Sequence, residues 1–264
     1  MRADYRGALS DIVEGVANWE MWGRLGWQEV RRRYRLTVIG PFWTTLSLGI
    51  FIFTLGIVWA QLWKQDPKTY LPFLAAGMIS WGLVSQIIND GCSVFIAAEA
   101  LIKQLRFPYT SLSCMVVYRN LITFAHNFAI FVIVILYAGT PVNWSTLLIV
   151  PGFLLVCITG LWVATLFGLV CARYRDVQQV VASIVQVSMF ITPIFWKPEQ
   201  LGDRFTKFVD YNFLYHYIDI IRGPLLGRAP AMRSWYVAIV GTVLGWLVTL
   251  FVYSRFRRRL AYWL

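Results

Sequence analysis

Charged residues are scarce in this chain: 14 % of its 264 residues are Asp, Glu, Lys or Arg, where an ordinary soluble domain carries about 25 %. Acids are the rarer half, 13 against 24 Lys plus Arg, and there are two histidines, His126 and His216. So few charges cannot solvate a globular surface, which excludes a soluble enzyme, and the apolar excess excludes a disordered regulator. Four cysteines (Cys92, Cys114, Cys157, Cys171) with no Cys-x-x-Cys pair exclude a disulfide scaffold and read as buried free thiols. No lysine follows a glycine: Lys64, Lys68, Lys103, Lys197 and Lys207 follow Trp, Pro, Ile, Trp and Thr. A Walker A loop therefore cannot form, and the chain does not bind ATP by that route. His-Glu-x-x-His and Gly-x-Ser-x-Gly are absent too. The expectation is a non-enzymatic chain with no catalytic, metal or cofactor site of its own.

What is present is apolar: 58 % of residues are hydrophobic and 17 % aromatic. A bilayer core about 30 Å thick takes roughly 20 residues at 1.5 Å rise each. Uncharged or nearly uncharged runs of that size predict six transmembrane helices, over 38–62, 70–97, 112–138, 147–171, 177–196 and 234–254, as one all-α transmembrane domain covering 1–264. The 53 residues 120–172 carry no charge and are too long for one crossing; Gly139 to Asn143 splits them. The first 37 residues hold seven Arg and five acids, not the apolar core of a cleaved leader, so the first span is expected to insert uncleaved.

An even number of spans puts both ends on one side. That side carries fifteen Lys and Arg against eight on the other, with Arg119 between them. The positive-inside rule then places both termini in the cytoplasm. The basic surplus is assigned to lipid headgroups and orientation, not to nucleic acid. Residues 18–34 read as an amphipathic interface helix capped by Asn18. Glu20, Arg24, Gln28 and Arg31 lie on one side, Trp19, Trp22, Leu25, Gly26 and Val30 on the other, with Trp27 and Glu29 as exceptions. Such a helix either anchors the chain on the leaflet or contacts a partner. Residues 197–233 are too polar to cross and too aromatic for a tether, and predict short helices at the outer interface.

Two charges, Asp90 and Arg119, fall inside apolar runs, each costing about 2.5–3.5 kcal/mol at a bilayer centre. They either neutralise each other or, as the preferred reading, snorkel separately to the interface. His126 reads as a packed, hydrogen-bonded residue. His216 and Asp219 are spaced to share a helical face. Gly241 and Gly245 form a Gly-x-x-x-Gly pattern that permits close packing. The halves show no internal repeat, which counts against a secondary transporter.

Four segments, spread over nearly the whole chain, resemble the membrane permease subunit of ABC-type polysaccharide exporters, the family that moves O-antigen, capsule or teichoic acid chains. Arg32-Arg33-Tyr34-Arg35 leads into Gly40-Pro41-Phe42-Trp43 at the first span. The coupling segment 98–108 includes Glu99-Ala100-Leu101-Ile102-Lys103-Gln104-Leu105-Arg106. Arg173-Tyr174-Arg175-Asp176 opens the fifth span, which ends Thr192-Pro193-Ile194-Phe195-Trp196. Asn212 to Arg222 matches an aromatic run before an Arg, with Phe213 where the family has proline.

The resemblance implies a homodimer in the bacterial cytoplasmic membrane, with Mg-ATP hydrolysed on two separate nucleotide-binding subunits and a lipid-linked polysaccharide as cargo. It also implies that Glu99, Leu101, Ile102, Lys103, Leu105 and Arg106 couple to the ATPase, with Leu101, Ile102 and Leu105 filling a groove on it. An i, i+4 pair of Glu99 with Lys103 supports a short helix there. Channel lining falls to Trp43, Phe51, Phe53, Trp59, Phe190, Phe195 and Trp196, any of which can instead face lipid. Within 197–233, an extracytoplasmic gate falls to Tyr211, Asn212, Tyr215, His216, Tyr217 and Arg222. Three rivals remain open: export of a drug or lipid on the same frame, a membrane transferase built on His216 and Asp219, and ion coupling through Asp90.

Overall fold

The computed structural model describes residues 4–35, 40, 42–139, 143–198 and 208–264, and among them there are helices and no strands. In chain order they are α1 (Tyr5–Ala17), α2 (Trp19–Tyr34), α3 (Phe42–Leu62), α4 (Pro67–Ala97), α5 (Glu99–Gln104), α6 (Thr110–Ala138), α7 (Ile149–Arg173), α8 (Asp176–Ile191), α9 (Phe213–Leu225), α10 (Met232–Phe256) and α11 (Leu260–Trp263). A 3-10 turn, Trp144–Leu148, runs into α7, and another, Arg257–Arg259, joins α10 to α11.

Five helical stretches are long and apolar enough to cross a membrane: Phe42–Leu62, Pro67–Ala97, Thr110–Ala138, Trp144–Arg173 and Met232–Trp263. The chain is thus an integral, multi-pass membrane protein. The predicted fifth span is a shorter apolar helix of 16 residues, α8, about 24 Å long at 1.5 Å per residue. It stops at Thr192 because Pro193 follows and holds that residue extended, φ −81° and ψ 136°.

Helix α4 is the axis of the molecule. In its most apolar stretch 78 % of residues are buried, against 28–33 % in the other four, and it packs on α3, α6, α7, α8 and α9. Asp66 caps its start, accepting from the Lys68 amide at 2.9 Å, with Pro67 in the first turn where a missing donor costs nothing. Small residues let its neighbours close in: a Cβ on Gly91 would lie 2.7 Å from the Ala164 Cα of α7. The glycine pair of α10 works differently from a helix–helix groove. Gly241 makes room for the Phe213 ring and Gly245 for the Trp162 ring, so each accepts an aromatic knob.

The ends of the bundle are distinct. At one, called the near end, α1, α5, residues 105–109, α11 and the end of α10 meet. Asp4 pairs with Arg258 at 2.6 Å, and the Arg173 guanidinium lies 5.0 Å from the Trp263 ring. At the far end, the start of α4, Gly139 (φ +66°, the left-handed stop of α6), residues 193–198 and α9 gather. Helix α8 runs between these ends, from beside Arg173 to Thr192, which accepts a 2.9 Å hydrogen bond from Asn212 Nδ2. Helix α9 stays at the far end and is buried from His216 to Leu225.

Two sequence expectations change. Residues 18–34 are preceded by a second helix, α1, and Asn18 does not cap α2 with its side chain; it closes α1, donating its backbone N–H to the Glu14 carbonyl at 2.9 Å. Helix α2 packs along α6, with the Trp22 ring edge-on to Tyr118 at 5.5 Å, while Trp19 and Trp27 are exposed. Within residues 197–233, positions 199–207 lie outside the described residues, as do 36–39 and 41 of the first-span motif and 140–142 of the turn after α6.

Candidate functional site

At the near end one buried carboxylate ties four elements together. Asp11 of α1, 2 % exposed, accepts from the Tyr109 amide (3.1 Å), the Thr110 amide (3.1 Å), the Thr110 hydroxyl (2.7 Å), the Tyr253 hydroxyl (2.7 Å) and Arg257 Nε (3.1 Å). Helix α6 has no capping side chain of its own, so Asp11 caps it from another helix and sets a negative charge against the positive end of its dipole. Ala8 and Gly15, one turn either way, are buried on the same face and bring α1 onto Thr110 and Ser111. The exit of the predicted coupling segment is therefore fastened to α1, α6 and α10 at once.

The predicted coupling segment is α5 and the extended stretch after it. Glu99 and Lys103 pair at 2.6 Å on the exposed side. The Lys103 ammonium, by hydrogen bond and then by charge, holds the Glu99 carboxyl below its ordinary 4.5. Leu105 is exposed, as are Lys103, Gln104 and Arg106. Ile102 is not: it is buried among Ala8, Phe95, Leu112 and Leu260. It anchors α5 to its own chain and cannot enter a groove on another protein; Leu101 is half-buried against the same cluster. Arg106 lines a near-end cavity of about 600 Å³ together with Asp4, Glu14 and Arg258.

Asp90 and Arg119 do not snorkel apart. Arg119 Nη2 lies 2.8 Å from Asp90 Oδ2, Asn120 Nδ2 donates to the same oxygen at 2.9 Å, and Arg119 Nη1 is bonded to Glu29. Two carboxylates therefore bracket one guanidinium. Arg119 lies nine residues, about 14 Å, into α6, level with α2. Glu29, an exception on the helical wheel, thus faces inward because it completes this triad. Asp90 is thus engaged by Arg119 and Asn120.

At the far end, Asn212 caps α9, accepting from the Leu214 amide at 3.1 Å and the Tyr215 amide at 3.3 Å. His216, Tyr217 and Arg222 are buried, whereas Tyr211 is 84 % exposed. The residues predicted for a gate therefore divide: Tyr211 faces outward, and His216, Tyr217 and Arg222 pack α9 onto the bundle. His216 and Asp219 do not touch as a dyad. Ser234 stands between them, 3.1 Å from His216 Nδ1 and donating to Asp219 Oδ2 at 2.9 Å, while Arg228 pairs with Asp219 at 2.7 Å. Both side chains are buried and engaged with other partners, so they do not form the direct His–Asp pair that the transferase alternative used. Tyr70 donates its hydroxyl to the Phe195 carbonyl, and Arg222 Nη1 to that of Pro193 at 2.6 Å. The break after α8 is thereby fastened to α4 and α9.

The proposed lining aromatics also divide. Trp43, Phe51 and Phe190 are exposed, Phe53, Trp59 and Trp196 half-buried. Phe195 is buried, stacked on Trp59 with centroids 6.3 Å apart, so it packs the core and does not line a path. One face of α8 stands out. Gln179, Ser183, Gln186 and Phe190 fall at i, i+4, i+7 and i+11 and all are exposed, while Val181 and Val185 point inward. A polar stripe on an exposed face of an apolar helix is costly against lipid and fits a wet surface.

A family model described as ABC-2 type transporter matches residues 21–226. The chain belongs to the ABC-2 transporter family. Relatives named O-antigen export system permease protein RfbA support the same placement. One from Myxococcus xanthus is 22 % identical over 201 residues, 76 % of this chain and 72 % of the relative. One from Klebsiella pneumoniae is 20 % identical over 263 residues, 97 % and 95 % of the two chains. The resemblance to polysaccharide-exporter permeases thus holds.

As an ABC-2 permease, this chain carries Asp11, Tyr253 and Arg257 outside the matched range, yet they fasten Tyr109 and Thr110 inside it. Sequence reasoning passed over Asp11 and left Glu29 as an unexplained exception on the helical wheel. Each had a signal: an acid on a helical face otherwise made of small or apolar residues, Ala8 and Gly15 for the first, Trp22, Gly26 and Val30 for the second. The Gln–Ser–Gln stripe of α8 had the plainest signal, a polar repeat at helical spacing inside an apolar run.

Proposed function

We propose that two copies of this chain form a channel that exports a lipid-linked polysaccharide, of O-antigen, capsule or teichoic acid type, across the bacterial cytoplasmic membrane. Mg-ATP hydrolysis on two separate nucleotide-binding subunits drives it, and those subunits engage the near end, which lies in the cytoplasm together with both termini. In this reading α8 is the fifth span in chain order and completes the set of six, and Tyr211 with the start of α9 forms the outer gate.

The observation that carries the reading is the exposed stripe Gln179, Ser183, Gln186 and Phe190. Amides and a hydroxyl exchange hydrogen bonds with sugar hydroxyls at little cost, and an exposed ring offers a face for sugar C–H surfaces. In one copy the stripe faces outward; a second copy closes it into a water-filled path. The relatives' names supply the cargo class, and the absence of a Walker lysine agrees with an external source of energy. The near end offers the contact: a rigid α5 with exposed Lys103, Leu105 and Arg106, fastened through Asp11 to α6 and α10.

The test replaces Gln179 and Gln186 with Leu, which keeps helix propensity and removes the polar stripe. Surface polysaccharide is expected to fall several-fold while membrane abundance of the permease stays at the wild-type level. Undiminished export by the double variant rejects this path.

A further inference from the structure

Two helices independently fix the level of the bilayer surface at the near end. In α6, Arg119 is followed by 19 uncharged residues, 120–138, about 28 Å at 1.5 Å each. In α4, Asp90 is preceded by 21 uncharged residues, 69–89, about 31 Å. Each stretch matches a hydrocarbon core of about 30 Å, and the contact of Arg119 with Asp90 ties their near ends to one plane. Glu29 of α2 bonds the same arginine, so α2 meets the bundle at the headgroup boundary. Arg31, Arg32, Arg33 and Arg35 follow it within about 3–9 Å along the helix, and all four are exposed. The carboxylates of α2 are engaged elsewhere, Glu29 by Arg119 and Glu20 by Arg24. Among the described residues none of the four arginines has an acidic partner.

Four guanidinium groups at one helix end repel one another. The negative end of the α2 dipole offsets about half a charge, so most of the surplus remains, and anions at the headgroup plane neutralise it. The residue type fits that partner. An arginine fork donates two parallel hydrogen bonds to a pair of phosphate oxygens and is more weakly hydrated than an ammonium, and no lysine stands among residues 31–35. Trp27, 50 % exposed on α2, and Trp43, 58 % exposed at the start of α3, bracket the cluster in sequence; tryptophan favours the same headgroup level. The depth is set by packing, since Trp22 lies edge-on to Tyr118 and Gly26 makes room for that ring. We infer that Arg31, Arg32, Arg33 and Arg35 form a binding site for the phosphate groups of anionic phospholipids in the leaflet at the near end. The inference needs only the membrane-spanning bundle and stands whether or not the chain exports polysaccharide.

Binding is measured on the full chain, purified in a neutral detergent, so that no ATPase or export enters the result. Native mass spectrometry follows titration with phosphatidylglycerol and, as zwitterionic control, phosphatidylcholine with the same acyl chains. The expected result is saturable binding of phosphatidylglycerol, about tenfold or more tighter than phosphatidylcholine. Replacing all four arginines with Gln is expected to bring the two lipids within about twofold of each other. The four side chains are exposed, so the variant keeps the fold, checked by an unchanged thermal midpoint before lipid is added. A comparison variant, Arg255→Gln with Arg259→Gln, removes exposed charges at the end of α10. Tyr253 and Asp11 join that end to Thr110, about 14 Å outside the plane, and the lipid preference is expected to survive there. Should the fourfold variant unfold, Arg32→Gln with Arg35→Gln, matched in charge to the comparison variant, decides in its place. Equal affinity of the wild type for both lipids, a preference that survives loss of the four arginines, or an equal loss in the comparison variant overturns the site. So does displacement of phosphatidylglycerol by a lower concentration of geranylgeranyl pyrophosphate, which would give the cluster to a phosphorylated isoprenoid.

Discussion

Asp11 accepts from two backbone amides, two hydroxyls and one guanidinium, all within 3.1 Å. Removing such a buried acceptor leaves every donor desolvated at once, so Asp11→Ala is expected to cost about 3–5 kcal/mol. Tyr253→Phe removes one of the five donors and costs about 1 kcal/mol. Thermal unfolding of the detergent-solubilised chain ranks the two, and a larger loss for Tyr253→Phe would contradict the node. Asp4, on the same helix, behaves differently with pH. The Gly7 amide and then Arg258 hold its carboxyl below the ordinary 3.8. A depressed folded-state value means its stabilisation is complete above the ordinary value and is lost as pH falls through the depressed one. The difference in thermal midpoint between wild type and Asp4→Asn is therefore flat from pH 8 to 5 and shrinks only below about 4.

Helix α5 separates two roles within six residues. Ile102 is buried in the near-end core, so Ile102→Asp places an unpaired charge there and is expected to lower the amount of folded permease in the membrane. Leu105, 56 % exposed, tolerates Asp without loss of abundance, and the expected defect is in export and in ATPase stimulation by the complex. Quantitative immunoblotting beside an export assay distinguishes them; the opposite pattern would place the contact surface on the other face. The same segment shows what was legible beforehand. Glu99 with Lys103 at i, i+4 announced the helix, because that signal is local. The burial of Ile102 was not legible, since its partners Ala8 and Leu260 are nearly a chain length apart. Apolar run length likewise announced the long helices. It says nothing of which face each buries, since lipid and core are equally apolar, and so Phe195 passed for lining while the Gln179–Ser183–Gln186 repeat, a polar signal, went unread.

For the molecule as a whole, the contacts between α1 and α10 constrain topology more strongly than any single apolar run. Asp4 reaches Arg258, the Gly7 carbonyl accepts from Arg257 at 2.6 Å, and Asp11 holds Tyr253, so the first and last elements share one end of the bundle. In the proposed six-span topology α8 carries the chain from that end to Thr192, which gives the even parity. The proposed topology puts that end in the cytoplasm, in keeping with the fifteen Lys and Arg that the sequence reading assigns to its segments. The native cysteines are suited to a direct test, because Cys92, Cys114 and Cys171 are buried and Cys157 is half-buried, which keeps background labelling low. Tyr262, 90 % exposed at the near end, and Tyr211, 84 % exposed at the far end, each become a reporter when replaced by Cys. A membrane-impermeant maleimide added to spheroplasts is expected to label the Tyr211→Cys chain at once and the Tyr262→Cys chain only after lysis. Labelling of both from outside would break the parity that α8 supplies, and the reversed pattern would turn the bundle over, placing α5 where no ATPase can reach it.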